Sequence, residues 1–209
     1  MSEDFPKYSS VEVTGVVLAG GEGRRMGGLD KGLQPLLGRP MVDYALEALN
    51  SVCGQVLINA NRNRANYEAL GYQVIADEVG EFYGPLAGMA SAMRAVETPY
   101  VLFVPCDSPL VTPDIGPRLW NGLHETASRI AVASDGQRHH PVFALMHSDL
   151  GDSAVRYLTS GERKIDRWFD EHAWTKVDCR DVAESFLNIN RPDEREALEE
   201  KLRASSNRP

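Results

Sequence analysis

The amino-acid sequence predicts an α/β fold in which a single domain has three layers, αβα, around a mostly parallel sheet. Three observations lead to this prediction. Apolar runs of strand length alternate with helical patterns, glycine-rich or polar segments follow the strands, and no repeat or low-complexity linker separates a second domain. The expected domain covers residues 11–203, with flexible tails at 1–10 and 204–209.

The first sixty residues have the pattern of a βαβ unit. An apolar run from Val11 to Leu18 predicts a buried strand, Met41 to Ser51 carries apolar residues on one helical face, and Gln55 to Ala60 predicts the next strand. Parallel strands joined in this way cross over with a right-handed connection. The loop after the first strand is therefore expected at the carboxyl edge of the sheet, where open α/β sheets bind their ligands.

That loop, residues 18–32 with the sequence LAGGEGRRMGGLDKG, is rich in glycine and in fixed cations. Six of its fifteen residues are glycine, and it carries Arg24, Arg25 and Lys31. Glycine lets backbone N–H groups approach an anion closely, and the cations add charge, so the loop predicts a phosphate site. Neither the dinucleotide fingerprint nor the Walker loop fits in any register. The alternative is a flexible loop with solvated arginines.

Polar side chains also follow the next strands. Asn59 ends the second strand, Asp77 follows the third, and Asp107 follows the apolar run from Tyr100 to Val104. An asparagine amide suits a base edge, although an Asx turn is the alternative. A carboxylate beside a phosphate loop suits Mg²⁺, which takes about one or two protein carboxylates and completes its shell with phosphate and water. The alternative for Asp107 is a cap for the turn that follows.

The rest of the chain departs from plain βα alternation. Small residues in the helix predicted for Gly84 to Met93 allow either close packing or the approach of a ligand. Strands are predicted at Arg129 to Ser134 and Val142 to Met146, joined by a turn, and a helix at Asp149 to Leu158. From Asp193 onward the pattern is that of a charged surface helix.

Composition excludes several classes of protein. A net charge of −8 argues against a general nucleic-acid surface, which needs a basic stripe. No run approaches the roughly 20 apolar residues of a membrane span. Cys53, Cys106 and Cys179 show neither disulfide nor zinc spacing. These observations predict a cytoplasmic protein whose cations gather in a local pocket for a small anion.

Three segments together resemble one known family. They are the LAGG, RMG and DKG elements of the loop, GPLAG at residues 84–88 and PCDSP at residues 105–109. This combination is similar to nucleotidyltransferases of the molybdenum-cofactor guanylyltransferase type, over about Val13 to Arg191. The resemblance implies a Rossmann-like sheet of the nucleotide-diphospho-sugar transferase type. It also implies transfer of GMP from GTP to the terminal phosphate of molybdopterin, with Mg²⁺ as cofactor and release of pyrophosphate.

Residue roles on the nucleotide side follow from the pattern and the resemblance together. Backbone contacts come from the start of the loop, phosphate contacts from its cations, the metal contact from the PCDSP carboxylate, and guanosine contacts from the other polar strand ends. The expected catalytic residues are Arg25, Lys31 and Asp107, and the expected nucleotide-binding residues are Leu18, Ala19, Gly20, Gly21, Lys31, Asn59, Asp77 and Asp107, with Asp107 as metal ligand.

The molybdopterin side rests on the resemblance more than on spacing, which only places Asn188 and Asn190 on the same face of an extended segment. The family has D-G-x-x-x-H-P, G-E-R and N-x-N-x-P patterns, each of which this sequence contains. They correspond here to His140, to Arg163 and Lys164, and to Asn188 and Asn190.

Two alternatives to this function stay open. A nucleotidyltransferase of the same fold could use CTP on molybdopterin, or an NTP on a sugar phosphate, because a phosphate loop serves every NTP. A non-catalytic GTP-binding protein could deliver the cofactor. The expected partners are GTP and the molybdenum cofactor, together with molybdoenzyme apo-proteins or their chaperones, and neither nucleic acid nor membrane.

Overall fold

A mostly parallel sheet forms the centre of the protein in the computed structural model, which describes residues 6–19, 30–80 and 83–206. Its strands alternate with helices along the chain, as the sequence predicts. The strands are β1 (Val13–Leu18), β2 (Pro35–Leu36), β3 (Arg39–Pro40), β4 (Gln55–Asn59), β5 (Gln73–Ile75), β6 (Tyr100–Pro105), β7 (Ile130–Ser134), β8 (His139–His147) and β9 (Trp174–Asp178).

The helices follow the strands in the order expected for an α/β protein. Short 3₁₀ segments at Ser10–Glu12, Ser148–Leu150 and Arg180–Phe186 complete the connections. The α-helices are α1 (Met41–Asn50), α2 (Arg64–Glu68), α3 (Pro85–Ala95), α4 (Ile115–Glu125), α5 (Gly151–Thr159), α6 (Ile165–Phe169) and α7 (Pro192–Ser206).

In the described ranges the large sheet has the strand order β5-β4-β1-β6-β8-β7-β9. β8 runs antiparallel to both of its neighbours, whereas the other neighbouring strands pair in parallel. β1 lies between β4 and β6, so the carboxyl ends of three parallel strands meet at one edge. The predicted mostly parallel sheet is confirmed, and the two strands predicted on either side of a turn pair with each other in antiparallel orientation as β7 and β8.

Two apolar clusters cover the two faces of this sheet. Successive residues of β1 point to opposite faces, so Val17 belongs to the cluster that contains residues of α1 and α4, whereas Val16 belongs to the cluster that contains residues of α3, α5 and α6. Trp120 and Trp168 are the largest buried side chains of the two clusters. A third, smaller cluster joins Leu198 of α7 to α1 and β2. The three-layer αβα architecture is therefore confirmed.

Several boundaries differ from the sequence-based expectation. The first strand begins at Val13 because Ser10–Glu12 form a 3₁₀ turn. Within the segment expected as an N-terminal tail, the Tyr8 hydroxyl donates to the carbonyl of Val52 at 2.6 Å, and the Tyr8 ring packs edge-on against Trp120. The last helix begins at Pro192 and extends to Ser206.

The two-residue strands β2 and β3 were not predicted from the sequence, and neither were three longer elements. Helix α4 contains two glycines and a proline, which weaken a helical pattern. Helix α6 is only five residues long, and β9 is a partly exposed edge strand without a clear apolar alternation. Their formation depends on packing against the sheet, since local propensity is weak at each of them.

Two further properties of the described residues bear on the earlier expectations. Cys53, Cys106 and Cys179 are buried free thiols. Across the described ranges, every helix is too short or too polar to span a bilayer.

Candidate active site

The carboxyl ends of β1, β4 and β6 place the predicted site at one edge of the sheet. Leu18 pairs with Asn59 on one side and with Pro105 on the other. The amide of Ala19 then donates to the carbonyl of Asn59 at 2.8 Å, and the amide of Cys106 donates to that of Leu18 at 3.1 Å. The predicted phosphate loop therefore starts between the two polar strand ends. Within it, Gly20, Gly21 and Arg25 lie outside the described residues.

The end of this loop returns to the same edge through Lys31. Its Nζ lies 3.1 Å from Oδ2 of Asp107 and 2.5 Å from Oδ1 of Asn190. The side chains of Lys31 and Asp107 are 25% and 13% exposed. A cation and a carboxylate thus lie side by side, and both are partly exposed. This arrangement can attract phosphate oxygens and a divalent cation together.

The segment before α7 is hydrogen-bonded to Asp107 and to the residue after it. The amide of Ile189 donates to the backbone carbonyl of Asp107 at 2.8 Å. The hydroxyl of the fully buried Ser108 donates to Oδ1 of Asn188 at 2.8 Å. Because Asn190 contacts Lys31, both asparagines of the N-x-N-x-P pattern meet the residues around Asp107. Their predicted common face is thus directed at this site.

Glu194, in the first turn of α7, holds the same segment from the other side. Its Oε2 accepts from the backbone amides of Asn190 at 2.7 Å and Arg191 at 3.1 Å. A carboxylate is favourable at a helix N-terminus, where the backbone amides lack partners. Sequence reasoning selected neither Ser108 nor Glu194. The signal that could have identified Glu194 is an acidic residue two positions after the proline that starts a helix.

A second polar group surrounds Asp77. The amide nitrogen of Asn59 donates to Oδ1 of Asp77 at 3.0 Å, and that of Asn61 donates to Oδ2 at 2.8 Å. Oδ1 of Asn61 accepts in turn from the Asp77 backbone amide at 2.8 Å. Two amides therefore fix the orientation of one carboxylate. Asn61 was not chosen from the sequence, although the spacing of two from Asn59 on an extended segment places both on one face.

Asn59 itself is enclosed. It is 2% exposed, its amide nitrogen also lies 3.4 Å from the carbonyl of Ile75, and its oxygen faces Gly88 of α3. A Cβ on Gly88 would come within 2.1 Å of that oxygen, so the glycine in GPLAG leaves room for this side chain. In this arrangement Asn59 orients Asp77, and Asp77 is the more accessible of the two groups.

His140 lies in a packed environment near the start of β8. Its Nε2 is 2.9 Å from Oδ2 of Asp135, and its ring stacks on Phe186 with centroids 4.3 Å apart. Burial lowers the pKa of His140 below its ordinary value of 6.5. Backbone hydrogen bonds, the first from Arg138, lower the pKa of Asp135. The neighbouring His139 contacts Asp166 instead, as expected for adjacent residues on a strand.

Arg163 and Lys164 make their contacts with other segments of the chain. The guanidinium of Arg163 lies 3.7 Å above the ring of Tyr83, and it donates to the carbonyl of Leu158 at 2.6 Å. The carbonyl of Lys164 accepts from the hydroxyl of Tyr157 at 2.8 Å. Within the described ranges no hydrogen bond or ion pair joins either residue to Lys31, Asp107 or Asn190. The turn is linked instead to the segment that leads into α3.

The donor set at Asp107 suits one particular kind of metal site. Among the described residues, no group of three or more His, Cys, Asp and Glu side chains could hold an ion by itself. Mg²⁺ needs no such cage, because it keeps water and takes phosphate oxygens in addition to about one or two carboxylates. The single carboxylate of Asp107, beside Lys31 of the predicted phosphate loop, therefore fits Mg²⁺.

Comparison with known proteins shows which family the chain resembles. The family model described as MobA-like NTP transferase domain matches residues 15–177. The molybdenum cofactor guanylyltransferase of Shewanella sediminis is 43% identical over 193 residues, which are 92% of this chain and 98% of that protein. The molybdenum cofactor guanylyltransferase of Shewanella woodyi is 41% identical over 193 residues, which are again 92% of this chain and 98% of that protein.

A solved structure supports the fold. Molybdopterin-guanine dinucleotide biosynthesis protein A from Archaeoglobus fulgidus superposes with a TM-score of 0.76 at 23% identity. The superposition covers 91% of this chain and 99% of the other. The predicted fold class is thereby confirmed independently of the sequence pattern.

Proposed function

The chain belongs to the MobA-like NTP transferase family, and on that basis we propose that it is a molybdenum cofactor guanylyltransferase. It transfers GMP from GTP to the terminal phosphate of molybdopterin and releases pyrophosphate. One observation carries the proposal. Lys31 and Asp107 lie 3.1 Å apart at the carboxyl edge of the sheet, beside the start of the glycine-rich loop.

This pair suits the chemistry of nucleotidyl transfer. The attacking phosphate and the triphosphate are both anions, so positioning and charge neutralisation provide most of the catalysis, and no covalent nucleophile is needed. Lys31 binds the phosphates, and Arg25 is expected to join it. Asp107 would hold Mg²⁺, which supplies positive charge to the phosphate oxygens when bound. The backbone of Leu18, Ala19, Gly20 and Gly21 completes the proposed contacts.

The group around Asp77 favours GTP over CTP. An ionised carboxylate only accepts hydrogen bonds. Guanine presents two adjacent donors, N1–H and the 2-amino group, whereas cytosine presents one amino donor beside an acceptor nitrogen. With its orientation fixed by Asn59 and Asn61, Asp77 matches the guanine edge. A site of this kind discriminates strongly, because the wrong base leaves polar groups unpaired.

For the second substrate we propose the neighbouring surface. Asn188 and Asn190 lie beside Asp107, and His140 is connected to them through Phe186, which ends the preceding 3₁₀ segment. Arg163 and Lys164 are exposed cations that suit an anionic pterin phosphate. Delivery to molybdoenzyme apo-proteins or their chaperones, and a cytoplasmic location, accompany this function as predictions.

In the experiment that tests this proposal, the purified protein is mixed with Mg²⁺, molybdopterin and either GTP or CTP. The pyrophosphate and the dinucleotide that form are then measured. We expect pyrophosphate and the guanine dinucleotide with GTP, and loss of both on chelation of the metal. Cytosine dinucleotide as the main product would identify a cytidylyltransferase. GTP binding without pyrophosphate would identify a non-catalytic carrier. Unchanged Mg²⁺-dependent transfer by Asp107→Ala would disprove the metal assignment.

A further inference from the structure

Asp30, the residue before Lys31, accepts hydrogen bonds from two side chains at the short helix α2. The hydroxyl of Tyr67 donates to Oδ1 of Asp30 at 2.5 Å, and the amide nitrogen of Asn63 donates to Oδ2 at 3.0 Å. Each carboxylate oxygen thus has its own donor. Hydrogen bonds to a charged acceptor are stronger than neutral ones, so the carboxylate is held firmly.

Both donors are arranged for this contact. Tyr67 is fully buried, and burial raises the pKa of its hydroxyl well above the ordinary value, so it remains a donor. Asn63 stands at the start of α2, but its side chain makes no capping bond to the helix. Its backbone is left-handed, with φ of 51°. Asparagine tolerates this conformation better than most residues, and here its amide is directed to Asp30.

Gly32, the residue after Lys31, is packed on two sides. A Cβ on Gly32 would come within 2.5 Å of the Tyr67 hydroxyl and 3.2 Å of the Cys106 Cβ. Gly32 therefore lies between α2 and the residue that precedes Asp107. Its carbonyl accepts from the amide of Val42 at 2.9 Å. Lys31 is consequently held between two anchored neighbours in the chain.

We infer that Tyr67 and Asn63 are positioning residues that act through Asp30 to place the ammonium of Lys31 at the phosphate site. The inference rests on the proposed function, since it takes Lys31 as the phosphate-binding cation. A flexible lysine has a large rotamer entropy, and anchoring its backbone reduces the conformations open to it. Neither positioning residue needs to touch the nucleotide.

The test is a double-mutant cycle on the affinity for GTP with Mg²⁺, measured by titration calorimetry. Tyr67→Phe keeps the buried ring and removes the hydroxyl alone. We expect it to weaken GTP binding about tenfold, as for the loss of one hydrogen bond to a charged group. In a Lys31→Ala background the same change should weaken binding by less than about threefold, because the residue through which it acts is absent.

Two further variants guard against a purely structural effect. Tyr8→Phe also removes a tyrosine hydroxyl that is bonded to a carbonyl, at a place remote from the site, and should bind GTP like the wild type. Asn63→Gly removes the second donor without straining the left-handed backbone, and should weaken binding in the same Lys31-dependent way.

The outcomes separate the two proposals. Equal losses with and without Lys31, or a loss below about threefold in the wild-type background, overturn the positioning role. If the wild type binds GTP normally and the double-mutant cycle gives the expected coupling, but no GMP is transferred, only the enzymatic proposal is overturned. Failure of the wild type to bind GTP overturns both.

Discussion

Lys31 is the residue at which distant parts of the chain meet. It lies 76 positions from Asp107 and 159 from Asn190, yet it contacts both. The lysine ammonium has three hydrogen-bond donors that can rotate and are not confined to a plane. Lys31 can therefore exchange these contacts for phosphate oxygens while its backbone stays in place. The residue thus connects the glycine-rich loop, the end of β6 and the segment before α7.

Lys31→Ala should lower kcat for GMP transfer on the order of 10²–10³, the usual effect of losing one preorganised electrostatic contact. Steady-state kinetics with GTP and the molybdenum cofactor measure it. Lys176→Ala provides a matched control, because this exposed lysine lies on the edge strand β9. A change below about threefold for Lys31→Ala would remove this residue from the phosphate site.

Among the secondary-structure elements, α3 limits the space around the proposed base site, although it supplies no polar contact to Asp77 among the described residues. Its small residues let the helix lie close to the sheet, and Gly88 gives space to the oxygen of Asn59. The sequence left two explanations for these small residues, close packing and the approach of a ligand. The structure shows close packing on a side chain of the predicted site.

Gly88→Ala tests this contact. Alanine is favoured over glycine in a helix by up to about 1 kcal/mol, so the fold should survive. The added Cβ must displace the Asn59 amide from Asp77, and we expect GTP affinity to fall about tenfold through loss of an oriented acceptor. Calorimetric titration with GTP and Mg²⁺ measures the effect.

Gly116→Ala is the control for that substitution. It lies inside α4, and its added Cβ would meet the Tyr8 hydroxyl at 3.0 Å, away from the nucleotide edge. It should change the melting temperature without changing GTP affinity. Wild-type GTP affinity in Gly88→Ala would show that Asn59 does not orient Asp77 for binding.

At the scale of the whole molecule, three partly or fully buried histidines link stability to pH. Burial is the first cause that lowers the pKa of His140, His147 and His172 from 6.5. The unfolded chain therefore binds more protons than the folded chain once the pH falls to about 6.5 and below. Stability rises with pH across this window and falls on acidification.

We expect the melting temperature to decrease continuously between about pH 7.5 and 5.5, as calorimetric scans can show. Asp135 contributes little to this slope, because a carboxylate with a lowered pKa loses its stabilising effect only near and below its ordinary value of 3.8. His172→Gln should make the slope shallower by removing one of the three groups. A melting temperature that rises on acidification would contradict this account.

Sequence patterns alone predict the sheet and the edge at which a ligand is expected to bind. Alternating apolar runs and helical patterns identify β1, α1, β4 and β6, and parallel topology then requires their carboxyl ends to lie together. Lys31, Asn59, Asp77 and Asp107 could be chosen because they follow these strands or lie in the loop. Asn188 and Asn190 were assigned from family resemblance, since spacing alone does not say which strand end they reach.

The contacts among these side chains become known from the folded structure. In that structure Lys31 donates a hydrogen bond to Asn190, Asn59 donates one to Asp77, and Tyr67 donates one to Asp30. The same structure places Arg163 over Tyr83, outside the group formed by Lys31, Asp107 and Asn190 in the described residues. These contacts cannot be predicted from the sequence, because hydrophobic periodicity indicates which face of an element is buried, whereas hydrogen-bond partners depend on the close packing of elements far apart in the chain.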